Sequence, residues 1–166
     1  MDIETIYWII FVLAWFIVLF ILIPTKEIIR LLPFGLFLGF IFSLALNYVT
    51  MVMFHVWKLV GDIYILGFPL LTSLSWIPAV MLFAYYYPLK KKWYWQGLYF
   101  LIFITGTTLI QYLQNEVGMW KSINWNLYYT FILATFTHTV MRLCFPVFKI
   151  GKKNKFDFVN KKLPEF

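Results

Sequence analysis

The stretch PFGLFLGFIFSLALNYVTMVMF, Pro33–Phe54, runs for 22 residues without a charged side chain. At 1.5 Å per residue a helix of that length covers about 33 Å, enough to cross a hydrocarbon core of ~30 Å. The run is continuously apolar and does not alternate, so it reads as a helix and not as a barrel strand. Four further segments repeat the pattern: Ile6–Pro24, Pro69–Pro88, Gln96–Asn115 and Trp125–Val147. The chain is 63% hydrophobic and 13% charged, where soluble domains carry roughly a quarter charged residues. The reading is all-α: a polytopic membrane bundle of five transmembrane helices. Residues 1–148 form one domain, followed by a basic tail, 149–166.

Charge orients the bundle. Of the 14 Lys and Arg residues, Lys26, Arg30, Lys90, Lys91, Lys92, Arg142, Lys149, Lys152, Lys153, Lys155, Lys161 and Lys162 fall on one side of this cut. Only Lys58 and Lys121 fall on the other. The positive-inside rule then places the amino terminus outside and the carboxyl terminus in the cytoplasm. Aromatic residues agree. Tyr7, Trp8, Trp57, Tyr64, Trp120, Trp125, Tyr128 and Tyr129 mark the outer border, and Tyr85–Tyr87 with Trp93–Trp95 mark the inner one. Trp15, in mid-span, is the exception. The acidic start, Asp2 and Glu4, makes the first segment an uncleaved span and not a signal peptide.

A net charge of +7 located at membrane borders points to anionic lipid head groups, not nucleic acid. The tail lysines, with Phe156 and Phe158, fit the same lipid surface. The outer loop His55–Phe68 is expected to lie along the interface.

Within the spans, Gly35, Gly39, Ser43 and Asn47 recur every four residues on one face of the second helix. Small residues at this spacing let helix backbones approach, and Asn47 can hydrogen-bond across the contact. The face suits packing within the bundle or, alternatively, homodimerisation. The fourth segment is the most polar. Thr107, Gln111 and Gln114 share a face, with Asn115 beside them and Glu116 at the outer border. With Asn47 they form either an outward-facing polar cavity or a hydrogen-bond network with Asn47 and Thr50. Glu116 is also placed to meet Lys58 or Lys121. His138 and Arg142, one turn apart in the fifth segment, offer an inner anion or lipid site; otherwise Arg142 snorkels to the border. Pro78 kinks or interrupts the third helix, and nearby serine hydroxyls can take up a freed carbonyl.

Several chemistries have no motif here. The two histidines, His55 and His138, lie near opposite faces, so they cannot share a metal. Cys144 is the single cysteine, and no H-E-x-x-H, G-x-S-x-G or Walker loop occurs. No carboxylate falls inside a span. No metal or cofactor is therefore expected.

The patterns Leu32-Pro33-Phe34-Gly35, Ser75-Trp76-Ile77-Pro78 through Tyr87-Pro88, and Asn124-Trp125-Asn126 with Tyr128-Tyr129-Thr130 resemble a family of small multi-span integral-membrane proteins. That family, of unknown function, comes from spore-forming Gram-positive bacteria. The resemblance runs from about Lys26 to Arg142 and implies a bacterial plasma membrane. Relatives in that family often carry acidic residues in the second and third spans, where this chain has Asn47 and Ser75.

The leading expectation is a non-enzymatic bundle that binds a lipid or small amphiphile, or that joins a larger membrane assembly. The second is a small-solute transport component using the polar cavity. A lipid-modifying membrane enzyme comes last, because His138, Arg142 and Glu116 are separated across the bilayer.

Overall fold

The computed structural model describes residues 2–151. Five helices follow in order: α1 (Ile3–Leu22), α2 (Thr25–Met53), α3 (Leu70–Tyr86), α4 (Trp93–Glu116) and α5 (Leu127–Leu143). Three of them, α1, α2 and α4, are long and apolar enough to cross a membrane. α3 and α5 have 17 residues each, about 26 Å of helix, slightly short of a ~30 Å core. Length and composition thus support three spans, not the five expected. Large apolar side chains such as Ile10, Ile17, Phe20, Ile21, Ile102 and Leu109 point outward from α1 and α4. Apolar surface of that extent suits a lipid solvent.

α2 corrects the expected start of the second span. It begins at Thr25, right after the Pro24 cap, so Lys26 and Arg30 lie in its first turns and not in a loop. Arg30 pairs with Glu27 at 2.8 Å. Pro33 is consequently interior to the helix, not in its first turn. Two stretches of α2, Gly35–Ile41 and Val49–Met53, have π geometry. In an α-helix a four-residue repeat drifts about 40° around the axis at each step. Wider π turns, bonded from i to i+5, work against that drift. They help to keep Gly35, Gly39 and Ser43 on one buried face.

That face meets α3. A Cβ on Gly39 would stand 2.8 Å from the Ile77 Cα and from the Trp76 carbonyl oxygen, and one on Gly35 would stand 2.7 Å from Met81 Cγ. The repeat is used for packing inside the molecule, which leaves it covered and unavailable to a second copy. α3 also packs closely on α1, while α4 and α5 pack chiefly on each other. α3 passes through Pro78 without interruption. The nearby hydroxyls do not serve the proline: Ser73 donates to the Pro69 carbonyl and Ser75 to the Thr72 carbonyl.

One end of the bundle is not helical, so the all-α reading is incomplete. The strands are β1 (Trp57–Leu59), β2 (Tyr64–Ile65), β3 (Phe68–Pro69) and β4 (Trp120–Ser122). β1 pairs antiparallel with β4, and β2 with β3. The loop expected to lie along the interface instead folds over the bundle. Its Trp57 and Leu59 are buried. Trp8, read as an interfacial marker, is fully buried and donates its indole N–H to the Val60 carbonyl at 2.9 Å. Gly61 (φ +74°) allows this approach, since a Cβ there would lie 2.5 Å from Glu4 Cβ. Asp62, buried in the same loop, accepts from the backbone N–H groups of Leu71 and Thr72 at 2.8 and 2.9 Å. It satisfies the open start of α3 and complements the helix dipole.

Gly39→Ala drives a methyl group into the α3 backbone and is expected to cost about 1–3 kcal/mol, the usual range for overpacking. Gly97→Ala meets nothing within 4 Å and should be neutral or slightly stabilising, by up to about 1 kcal/mol. Thermal unfolding of both variants in one detergent checks the contrast.

Candidate functional site

The polar residues of α4 border an internal cavity of about 310 Å³ between the α1–α2–α3 layer and the α4–α5 hairpin. Its two ends are closed by aromatic contacts. At the sheet end, Trp57 lies 4.7 Å from both Trp120 and Trp125, ring centre to ring centre. At the other end, Phe83 of α3 meets Phe103 at 5.2 Å, His138 at 5.0 Å and Phe145 at 5.9 Å. Each such pair adds roughly 0.5–1.5 kcal/mol beyond burial. The two layers are therefore joined at both ends and held apart between them.

Of the expected cavity residues, Asn47, Thr107, Gln111 and Gln114 do line this space. Asn115 and Glu116 do not: both are exposed at the end of α4. Among the described residues, Glu116 forms no ion pair with Lys58 or Lys121. These two lysines face each other across β1 and β4. The expected network between Asn47 and Gln111 is absent as well. Asn47 donates within its own helix, to the Ser43 carbonyl at 2.9 Å, and Thr50 donates to the Leu46 carbonyl. Gln111 bonds instead to α5. The Trp125 indole N–H donates to Thr130 Oγ1 at 2.8 Å, and the Thr130 hydroxyl donates to Gln111 Oε1.

His138 and Arg142 part company. His138, 2% exposed, borders the cavity, and its Nδ1 lies 2.8 Å from the Ala134 carbonyl. The Arg142 guanidinium instead lies 5.1 Å from the Tyr87 ring centre and 5.2 Å from that of Phe145. A cation over two ring faces is held there by the ring quadrupoles. The cavity is thus bordered by His138 and not by Arg142. The basic tail beyond Gly151, expected to bind lipid, lies outside the described residues.

The walls of the cavity are mainly aromatic and aliphatic, with no Lys, Arg, Asp or Glu among the residues that border it. Several wall residues were not singled out as site residues in the sequence. Trp15 is one; its mid-span place, odd for an interfacial ring, was the available signal. Thr130 and Gly106 are others, and neither carried one. A Cβ on Gly106 would meet nothing within 4 Å. Ile102, on the same helix, borders the cavity yet is 58% exposed. α1 and α4 are not among the closely packed pairs of elements, and Trp15 and Ile102 border the cavity on the side of the bundle between them.

Among the described residues, no cluster of three His, Cys, Asp or Glu side chains has the proximity needed to hold a metal ion. No protein-family model, curated protein or solved structure matches the chain.

The Trp125–Thr130–Gln111 relay can be measured by a double-mutant cycle. Thr130→Val and Gln111→Leu should each destabilise the protein. Their coupling energy is expected near the ~0.6 kcal/mol average for hydrogen bonds between membrane helices. Thermal or denaturant unfolding of the four proteins in one detergent reads it.

Proposed function

We propose that the protein is a non-enzymatic integral-membrane bundle that takes the apolar part of a lipid or small amphiphile into the cavity between its two layers. The orientation that fits this reading puts the sheet end outside and the lysine-bearing helix ends in the cytoplasm of a bacterial cell. In that arrangement all five helices cross or nearly cross the membrane, with α3 shielded by the others and α5 facing lipid through Ile132 and Phe136. The residues of α2 before Pro33 then sit at the inner head groups, where Lys26 and Arg30 are favoured.

The observation that carries the reading is the flank of the cavity. Its volume of about 310 Å³ falls at the lower end of ligand pockets, ~300–1,000 Å³. Its walls are mostly apolar, and it approaches the surface between two lipid-facing helices. A chain that enters from the hydrocarbon layer leaves no water behind. Outward solute transport is less well supported, because the β1–β4 ribbon and three tryptophans lie across the outer end. A lipid-modifying enzyme is less well supported still, since Glu116 and Arg142 stand away from His138.

Filling the cavity provides the test. Gly106→Trp has open space on the cavity side, and Ala79→Leu fills it from α3. Native mass spectrometry of protein released from its own membrane should find bound lipid on the wild type and at least tenfold less on either variant. Unfolding temperatures should stay within a few degrees. Equal lipid occupancy in all three proteins would refute the proposal.

A further inference from the structure

Most polar groups on the cavity wall are already used within the protein. The Thr72 hydroxyl donates to Asp62, Ser75 donates to the Thr72 carbonyl, and Thr137 donates to the Ala134 carbonyl. A short set remains without a partner among the described residues: the Trp57 and Trp120 indole N–H groups at the sheet end, Asn47 Oδ1, Gln111 Nε2, the Gln114 amide, the Thr107 hydroxyl and His138 Nε2. Gln111 and His138 are 7% and 2% exposed, and the Trp57 and Trp120 indole nitrogens are fully buried. Buried polar groups left unpaired are costly, and more so in hydrocarbon.

The hydrogen-bonding sense of each group is readable. Gln111 Oε1 is occupied by the Thr130 hydroxyl, which leaves the Gln111 amide N–H₂ as a donor. The Ala134 carbonyl can only accept, so His138 Nδ1 carries the hydrogen. In the neutral ring, Nε2 is then an acceptor. The groups form a ladder. Thr107 lies one turn, about 6 Å, from Gln111 along α4. His138 is level with Phe103, 6.2 Å between ring centres, and Phe103 is about another 6 Å further.

No charged side chain borders this ladder. A phosphate or ammonium head drawn into it would lose hydration with no counter-charge to replace it. An uncharged head with its own donors and acceptors would satisfy the free groups at no such cost. We infer that the ligand is a neutral, hydroxyl-bearing amphiphile of the glyceryl-diester type, one ester carbonyl receiving from Thr107, the other from Gln111, and its hydroxyl donating to His138. A glyceryl ester carries a carbonyl and a free hydroxyl a few bonds apart, which matches one step of the ladder. The first part of one acyl chain lies along the apolar cavity wall beside the head, against Leu133 and Ala134, and the remainder leaves through the flank between α1 and α4. This inference rests on the cavity reading above and adds the chemistry of the head.

The experiment compares lipids with the same chains and different heads. Detergent-purified protein is titrated with dioleoylglycerol, dioleoylphosphatidylglycerol and dioleoylphosphatidylcholine, and occupancy is read by native mass spectrometry. Dioleoylglycerol should bind at least tenfold more tightly than either phospholipid. Gln111→Leu and His138→Leu should each weaken it about tenfold. Thr107→Val, at a half-buried hydroxyl with no partner to lose, should weaken it severalfold at unchanged unfolding temperature. If phospholipids bind as tightly and Gly106→Trp removes them, the neutral-head assignment is wrong while the cavity reading stands. If no lipid responds to Gly106→Trp, the cavity reading fails and this one with it. A preference for dioleoylglycerol that Gln111→Leu, Thr107→Val and His138→Leu all leave intact would overturn the assigned contacts.

Discussion

The contact between Gly39 and the backbone of α3 at Trp76 and Ile77 sets the geometry of the whole bundle. It brings two helices together with no side chain between them, and in a lipid solvent close packing of this kind is a principal source of helix association. α3 is thereby fixed against α2, and it packs closely on α1 as well. Asp62 secures its first turn from the loop above. The result is a firm three-helix layer. The α4–α5 hairpin joins this layer differently, through Trp57 with Trp120 and Trp125 at one end and Phe83 with its aromatic neighbours at the other. Tight packing on one side and end-on aromatic contacts on the other leave the space between.

The polar residues divide in the same way. Ser43, Asn47, Thr50, Ser73 and Ser75 serve the packed layer, and they bond mostly to carbonyls of their own helices. Such bonds satisfy a hydroxyl or amide without asking anything of a neighbour. Gln111, Thr107, Gln114 and His138 lie on the hairpin side and keep hydrogen-bonding capacity free toward the cavity. The distinction separates groups that hold the fold from groups available to a ligand. Arg142 illustrates the first kind in another form, its charge held over the faces of Tyr87 and Phe145.

Much of this architecture is legible in the sequence because hydrocarbon length and small-residue spacing are one-dimensional constraints. The third and fourth apolar segments coincide with α3 and α4 to within a few residues. The Gly35–Gly39–Ser43 repeat announces a close helix contact, although it does not say with which helix. The start of α2 is hidden, because Lys26, Glu27 and Arg30 resemble a loop until Pro24 is seen as a cap. The β1–β4 ribbon is hidden for another reason: three-residue strands paired across more than sixty residues leave no periodicity to read. The cavity was half visible. Thr107, Gln111 and Gln114 share a helical face, and that face does point into it. Thr130 as partner of Gln111, and His138 apart from Arg142, depend on how α5 is rotated. Local spacing does not encode that rotation.

Central to the account is that an acyl chain occupies the space between the two layers and does not merely coat the outside. Photocrosslinking with a chain-labelled diazirine dioleoylglycerol, followed by peptide mapping, distinguishes these directly. The account predicts adducts on cavity residues of α5, namely Leu133, Ala134 and Thr137, in addition to outward residues such as Ile10 and Leu13. Adducts confined to the outward residues would contradict it.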